Sequence, residues 1–583
     1  MNLPLSFSQL ESSDLIRRLN EPDLSYIFKH ALVQDTSYSS MLKQDRKRLH
    51  RLIGETLERT YPNALEENAA RLAQHFAEAG DHAKTFHYAM MAGDAAARVY
   101  ANPEAITFYN LALQTAANLE LDTAQWIALY TQLGRVYEVS GTFDRALARY
   151  QDMEQRAAEC GDATMKLASL MARATLYATP TPLFDEPRGQ ALLDEALTLA
   201  QQLQDGAAEA RIYWTYLLLN GFSGRPLAAL EYGEKGIALA RALGLKERLA
   251  YLLNDISSYA YHFSGELEKG AAARLEARQL WEELGNLPML ADNLNNSAIF
   301  SNLAGNYARA RQELERAYEI SVSINNVWGE SLAHMVGAMT EFEEGEFQQA
   351  LTKLRPSYDA ARKNGLGLML IGGTVLSLVL AELGAVEEGY TLIRDTIGTI
   401  QIPAYRAPSL SALAYLMFLR GDGRGAEQVL SELQLDRFDA FLFLPLPSIL
   451  VSGERGLKEE KYSYLAKLMA DWVDGMQHAA IQSFVGDCLL YQALAQIALG
   501  ETASARAALA QGMTLSEKLG SRRVLWKLLA VRAELERQPN PTLSQELSIK
   551  ARDLLLYIAD HTPEEYRASF LNQAARRWHL TLT

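Results

Sequence analysis

A glycine that follows one helical run and precedes the next recurs about every forty residues, and this spacing constrains the fold more than any other feature. From Gly224 onward the intervals between successive glycines are 41, 40, 40, 39, 37 and 79 residues, and an interval of 83 residues precedes them. The two long intervals are close to double periods. The eight glycines are Gly141, Gly224, Gly265, Gly305, Gly345, Gly384, Gly421 and Gly500. A period of this length is typical of helical solenoids.

Small residues occupy two fixed positions around these glycines, and Leu217 is the one exception among the sixteen. Five residues after the glycine stand Ala146, Ala229, Gly270, Ala310, Ala350, Gly389, Ala426 and Ala505. Seven residues before it stand Gly134, Leu217, Ser258, Ala298, Ala338, Ser377, Ala414 and Ala493. Small side chains at fixed places let the two helices of a hairpin approach closely, and glycine gives the turn its backbone freedom. We therefore predict an all-α array of helical hairpins.

Length, net charge and cysteine content limit the kinds of protein that this chain can be. A chain of 583 residues exceeds what a single core usually covers, which favours a repeat array. The formal net charge of −15 argues against nucleic acid as the main partner. The only two cysteines, Cys160 and Cys488, are far apart in sequence, and the N-terminal residues lack the pattern of a signal peptide. We therefore predict a cytoplasmic protein.

One apolar run, residues 365–384, is long enough to cross a bilayer, and Glu382 is its only charged residue. The run is nevertheless in phase with the repeat, because Ser377 takes the small position and Gly384 the turn position. An interior solenoid helix can be apolar on nearly all sides. We therefore predict a buried helix here and no membrane association.

The N-terminal residues differ from the array. Residues 8–60 predict a helix over SQLESSDLIRRL, an extended piece around SYIFKH, and two further helices. The strings YIFKHALVQDTSYSSML (26–42) and RKRLHRLIGETLE (46–58) resemble the end of the winged-helix segment in STAND-class signalling ATPases. Many of those ATPases are coupled to class III adenylate or guanylate cyclase domains or to LuxR-type domains. Residues 72–113 resemble that family's first tetratricopeptide-like repeats, and residues 551–571 resemble its C-terminal helical cap.

The resemblance implies a right-handed tetratricopeptide-like solenoid preceded by a partial winged-helix-like segment. It divides the chain into a winged-helix-like remnant and linking helix (1–60), a repeat array (61–540) and C-terminal capping helices (541–583). The NTPase of the family requires a G-x-x-x-x-G-K-S/T loop to hold phosphates, and the sequence contains none. We therefore expect either a separated sensor half or a truncated start.

Residue patterns for catalysis or metal binding are missing as well. The sequence has no HExxH, no G-x-S-x-G and no CxxC. We therefore predict no catalytic residues, no metal and no cofactor, and we predict that the chain by itself is not an enzyme.

Binding remains as the function. If the first helix of each hairpin lines the concave surface, equivalent positions before each turn face inward. The positions ten, six and three residues before the turn glycine include Trp214, Asp255, Tyr259, His262, Asn295 and Asn302, and Asp292, thirteen residues before Gly305, joins them. Aromatic and polar groups at equivalent places on consecutive helices suit a groove for a peptide or small ligand. The alternative is that Trp214 and Tyr259 are core residues.

These observations favour a non-catalytic regulatory or sensor module that binds a protein partner or effector in the groove and acts in signal transduction. An ATPase or cyclase module supplied by another chain would be such a partner. The alternative is the C-terminal part of a multidomain ATPase or nucleotide cyclase whose catalytic domains lie upstream of Met1. A scaffold with several protein partners is a third hypothesis.

Overall fold

The predicted all-α class is confirmed. A computed structural model of the chain describes residues 3–19, 26–398, 402–433 and 444–578, and within these ranges it has 29 α-helices and one two-stranded hairpin. The chain forms two compact units, residues 1–139 and 140–583. The domain boundaries predicted at residues 60 and 540 stay predictions, and residues 579–583 of the predicted cap lie outside the described ranges.

Unit 1 begins with a short mixed segment and continues with helices. Its elements are α1 (Leu3–Ser12), β1 (Ile16–Arg18), β2 (Tyr26–Phe28), α2 (Ala31–Ser40), α3 (Lys43–Thr60), α4 (Ala69–Ala79), α5 (His82–Arg98), α6 (Asn102–Ala116) and α7 (Thr123–Val139). The predicted helix over residues 8–19 was wrong at its end. Asp14 has a positive φ of 61°, which stops the helix, and Ile16 then pairs with Phe28 in an antiparallel ladder. Ile16 and Phe28 are twelve residues apart in the sequence, so the pattern within residues 8–19 does not reveal this pairing.

Unit 2 consists of helices throughout its described residues. The first eleven are α8 (Phe143–Cys160), α9 (Ala163–Ala178), α10 (Glu186–Leu203), α11 (Gly206–Phe222), α12 (Pro226–Ala242), α13 (Lys246–Ile256), α14 (Leu267–Leu284), α15 (Leu287–Leu303), α16 (Tyr307–Ser323), α17 (Val327–Glu344) and α18 (Phe347–Lys363). The remaining eleven are α19 (Leu368–Glu382), α20 (Val386–Ile397), α21 (Pro403–Leu419), α22 (Gly423–Leu430), α23 (Leu446–Lys458), α24 (Tyr462–His478), α25 (Val485–Ala498), α26 (Thr502–Leu519), α27 (Arg522–Glu536), α28 (Pro541–Asp560) and α29 (Glu564–Trp578).

The periodic glycines are the turns of the array, as predicted. All eight have positive φ, between 69° and 87°, a conformation that side-chain-bearing residues rarely adopt. Four of them have a second role, because another part of unit 2 packs directly on the turn, as Asn364 does on Gly141 and Ser569 on Gly384. A Cβ at Gly305 would lie 2.4 Å from Leu519, and one at Gly345 would lie 2.7 Å from Ile558. These turns therefore need glycine for both the backbone angle and the close approach.

The two small positions face each other within a hairpin. A Cβ at Gly389 would lie 3.0 Å from the carbonyl oxygen of Ser377, which is the small residue of the preceding helix. In the hairpin of α15 and α16, Ala298 and Ala310 are both fully buried. Close approach at these positions is thus the contact that the sequence pattern predicts. The structure is a tetratricopeptide-like helical-hairpin solenoid.

The odd-numbered helices from α11 to α27 form the inner layer of unit 2. They are buried on most sides, whereas partners such as α16 bury only one stripe. Helix α19 lies within the apolar run 365–384, and every residue of this helix except Ile371 is buried. Among the described helices, none combines the length and the apolarity that crossing a membrane requires.

Inner helices far apart in sequence also contact one another, as α11 does with α21 and α17 with α27. A buried charge cluster joins the second pair. The fully buried guanidinium of Arg523 is 2.7 Å from the carboxylate of Glu343 and 2.6 Å from that of Asp487. Beside it, the Lys527 ammonium lies 2.6 Å from the Glu382 carboxylate. These ion pairs fill the inner side of this part of the array, so an open groove does not continue through it.

Replacing Ala310 with Leu should destabilise unit 2 by about 1–3 kcal/mol, because extra methyl groups would enter a fully packed hairpin contact. Repeats couple mainly to their neighbours, so the loss of hydrogen-exchange protection should centre on residues 285–345. Ala308→Leu on the exposed face of the same helix is the matched control. Equal denaturant midpoints for the two variants would contradict this packing.

Candidate binding site on the inner helices

Three of the predicted residues, Trp214, Asp255 and Asp292, meet on the inner helices α11, α13 and α15. The indole Nε1 of Trp214 donates a hydrogen bond of 2.6 Å to Oδ2 of Asp255. The carboxylates of Asp255 and Asp292 are linked through Asn254, whose Nδ2 donates to both, at 3.1 and 2.9 Å. We call Asp255 and Asp292 the acid pair. Trp214 and Asp292 keep part of their surface exposed, whereas Asp255 is buried.

Asparagine amides complete the surroundings of the acid pair. Asn296 Nδ2 donates to Asp292 at 2.9 Å, and Asn293 Nδ2 donates to Oδ1 of Asn254 at the same distance. The other side of Asn293 accepts a hydrogen bond from Nε of Arg278 at 3.0 Å. The amide network therefore holds both carboxylates in fixed positions while leaving them without a counter-charge at contact distance.

Burial changes the protonation of the acid pair. Burial and, second, the charge of the neighbouring Asp292 together raise the pKa of Asp255 to about 7, against the hydrogen bonds from Trp214 and Asn254. Burial also raises the pKa of Asp292 to about 6. Within the described residues neither carboxylate forms an ion pair. Arg248, whose guanidinium lies 5.2 Å from the Trp214 ring centre, is the nearby cation, and its charge slightly lowers the pKa of Asp255.

A π-helical turn, Ser257–Tyr261, continues α13 directly beyond Asp255. Its repeat spans 41 residues where the next two span 40, so the turn absorbs one extra residue. Tyr259 in this turn hydrogen-bonds to Tyr405 of α21, and its ring lies 4.8 Å from that of Phe222. Tyr259 is partly exposed and forms the edge of the cluster on the α21 side.

His262 does not face an open groove. It is buried, its ring packs 4.5 Å from that of Phe300, and its Nε2 has no hydrogen-bond partner among the described residues. Burial, with a smaller contribution from Arg274, lowers its pKa to about 4. The extra residue of the π-helical turn lies between Asp255 and His262, so the two positions do not keep the register that the regular repeat implies. The expectation that His262 faces solvent was wrong.

Asn295 and Asn302 are also buried, and they connect α15 to α17. Asn295 Nδ2 donates to the carbonyl of Gly329 at 3.1 Å, and Asn302 Nδ2 donates to that of Val336 at 3.0 Å. Oδ1 of Asn302 accepts from the Thr340 hydroxyl at 2.6 Å. The expected continuous solvent-facing path from Trp214 to Asn302 is therefore interrupted, because inner helices pack against each other at these positions. Whether any of the seven residues binds a ligand stays a prediction.

Sequence reasoning missed Asn254, Asn293, Asn296 and Tyr405. The three asparagines carried a signal, since asparagine is a poor helix-interior residue and NLNN stands in the middle of α15. Tyr405 carried no such signal, because α21 meets α11 and the π-helical turn only through the curvature of the array.

The arrangement suits binding more than catalysis or metal coordination. In the described ranges, no group of three or more His, Cys, Asp or Glu side chains is placed to hold a metal ion. Two carboxylates beside partly exposed aromatic rings can accept hydrogen bonds from a cationic group and can release or take up a proton near neutral pH.

Comparisons with known proteins identify no family. No protein-family model matches the sequence, and no curated protein matches it. Solved structures with similar arrangements include a signal transduction ATPase with numerous domains from Pyrococcus horikoshii that has a tetratricopeptide repeat sensor, at 15% identity and a TM-score of 0.37. That match covers 74% of this chain, and the chain spans 58% of the length of that protein.

Two further structures are a Rap protein in complex with competence and sporulation factor and the Cut9–Hcn1 complex. The first has 12% identity and a TM-score of 0.40, and the match covers 60% of this chain and 98% of that one. The second has 14% identity and a TM-score of 0.39, and the match covers 94% of this chain and 99% of that one. Likenesses at this level carry no argument about function.

The acid pair should make stability fall as pH rises. Between the ordinary aspartate pKa and the raised values of about 6 and 7, the folded chain binds more protons than the unfolded chain, so rising pH favours unfolding. Asp255→Asn removes one of these groups. The free energy of unfolding of the variant, relative to that of the unmodified chain, should increase by roughly 1–3 kcal/mol between pH 5 and pH 8, at about 1.4 kcal/mol per pKa unit.

Chemical denaturation at several pH values measures this gain, with Asp471→Asn on the exposed face of α24 as control. A parallel pH dependence in the unmodified chain, the variant and the control would contradict the raised pKa values.

Asn302→Ala should lower the free energy of unfolding by about 1–3 kcal/mol, because it leaves the buried Thr340 hydroxyl without its acceptor and removes the bond that Asn302 donates to the Val336 carbonyl. Asn572→Ala at an exposed position of α29 should change stability by at most about 0.5 kcal/mol. Thermal unfolding of both variants is the measurement. Equal melting temperatures would show that Asn302 does not join α15 to α17.

Proposed function

We propose that this chain is a non-catalytic regulatory module that binds a peptide or protein segment through a cationic group at the acid pair. A lysine or arginine side chain or a free amino terminus would supply that group. The observation that carries the proposal is the pair itself: Asp255 and Asp292 are held together by Asn254 without an ion-pair partner in the described residues.

Electrostatics favours a cation over an anion or a neutral group. Two adjacent carboxylates in a poorly hydrated place resist ionisation, and a cation removes both the desolvation cost and their mutual repulsion. The aromatic rings beside them fit the same ligand, because Tyr259 and Trp214 present partly exposed apolar surface next to the charge. Arg248 already lies over the Trp214 ring, so the incoming group would share this environment with one resident cation.

A role in signal transduction is a separate part of the proposal and rests on the N-terminal residues that resemble STAND-class ATPases. An ATPase or cyclase module on another chain is the partner that this resemblance suggests. Mixing the purified chain with such a module and following its turnover with and without a basic peptide tests that part. It can fail while peptide binding at the acid pair holds.

Binding of a cationic peptide should strengthen as pH rises from 5 to 8, because the acid pair ionises with pKa values of about 6 and 7. Calorimetry with the full chain and a library of short lysine- or arginine-containing peptides is the measurement. Acetylating the lysine of a bound peptide should weaken it at least about tenfold, since one lost charge-assisted contact is worth ~1.5–3 kcal/mol.

The variants Asp255→Asn and Asp292→Asn should lose both the affinity and its pH dependence, whereas Asp471→Asn should keep them. Equal binding of acetylated and unmodified peptides, or a library without any binder, would contradict the proposed function.

A further inference from the structure

A second, oppositely charged site lies beside α15, the helix that carries Asp292 of the acid pair. A cavity of about 210 Å³ opens between α14, α15 and the first turn of α16. Its polar and apolar lining includes Arg274, Arg278, Ser297, Phe300, Asn306 and Arg309. Neither member of the acid pair lines this cavity. We call it the arginine pocket.

The charges in the arginine pocket do not balance. Arg278 and Arg309 share a single carboxylate, Glu313, at 3.5 and 3.2 Å. Glu313 is buried and also accepts a hydrogen bond of 2.9 Å from the Ser301 hydroxyl. Three guanidinium groups against one carboxylate leave an excess of two positive charges. The chain as a whole carries −15, so this local excess runs against its overall charge.

Arg274 is the residue that most needs a partner. Its guanidinium lies 4.2 Å from the centre of the Phe300 ring, and it donates a long hydrogen bond of 3.5 Å to the carbonyl of Ser257. Among the described residues it forms no ion pair. A guanidinium has five N–H donors in a planar fork, so most of the donors of Arg274 remain available to a ligand.

The neighbouring histidine does not alter this charge count. His262 packs against Phe300, and burial holds its pKa at about 4, so it is neutral near pH 7. The cationic groups of the pocket are therefore the three arginines. Two of them are held in place by existing contacts, Arg278 by Asn293 and Ser297 and Arg274 by the Phe300 ring.

We propose that the arginine pocket binds a phosphate group as its dianion, either inorganic phosphate or the phosphate monoester of a small metabolite. Two negative charges match the excess of two positive charges. Phosphate oxygens accept the paired N–H groups of guanidinium, which is why arginine predominates where such groups are recognised. The volume of about 210 Å³ accommodates such a group together with part of the molecule that carries it.

Titration calorimetry of the full chain with inorganic phosphate and with glycerol 3-phosphate, at constant ionic strength, tests this proposal. Saturable binding with one site per chain is expected. Arg274→Gln and Arg278→Gln should each weaken it at least tenfold. Arg241→Gln is the matched control, because it also removes one positive charge. Arg241 on α12 forms an exposed ion pair with Glu276 on α14.

Arg309→Gln tests whether a loss of binding merely reflects unfolding. Because Arg309 is exposed, this variant should bind phosphate more weakly while its melting temperature without phosphate stays unchanged. Tighter binding of glycerol 3-phosphate than of inorganic phosphate would identify a monoester as the ligand class, and the reverse would identify the free ion. The proposal is overturned if phosphate shows no saturable binding, if Arg274→Gln and Arg241→Gln bind it equally, or if acetate and succinate bind as tightly.

Discussion

The fold of unit 2 depends on one contact, the close approach of two helices at a pair of small residues. The approach of Gly389 to the Ser377 carbonyl, and the full burial of Ala298 and Ala310 in another hairpin, bring the backbones near enough for larger side chains elsewhere to interlock. The turn glycines then return the chain at a fixed angle, so each hairpin repeats the geometry of the one before it. Because neighbouring repeats are the main partners of each hairpin, this local contact propagates into the curvature of the whole unit.

That curvature decides how the inner surface is used. As inner helices such as α17 and α27 meet, their polar residues pair with each other instead of facing water. Arg523 with Glu343 and Asp487 is one result, and the amides of Asn295 and Asn302 on the α17 carbonyls are another. Buried polar groups are costly unless they are satisfied, so these contacts also fix the register between distant repeats. The acid pair differs, because amides position its carboxylates and leave their charge unbalanced.

Two sites of opposite charge therefore lie along α15, the acid pair and the arginine pocket. Asn293 contacts residues of both sites, because it donates a hydrogen bond to Asn254 beside the acid pair and accepts one from Arg278 in the arginine pocket. Helix α15 carries Asp292 and Asn293 and lies between the two sites, and the Asn293 amide is held from both sides. Such an arrangement suits recognition, in which preformed groups bind a ligand without first having to be ordered.

The sequence by itself determined the repeat, the turns and the small-residue contacts, because these depend on residues close together in the chain. Gly305 and Ala310 belong to one hairpin, and their spacing is visible without any structure. The sequence also predicted that Trp214 and Asp255, at equivalent positions, and Asp292, three residues earlier in its repeat, lie on inner helices. Only the tertiary structure decided which inner residues stay open and which are buried, because that depends on how far the array curves. The 41-residue interval shows one extra residue in the sequence, but its place at Ser257–Tyr261 is seen only in the structure. The Tyr405 partner of Tyr259 and the buried amides of Asn295 and Asn302 follow from contacts between helices that no local pattern encodes.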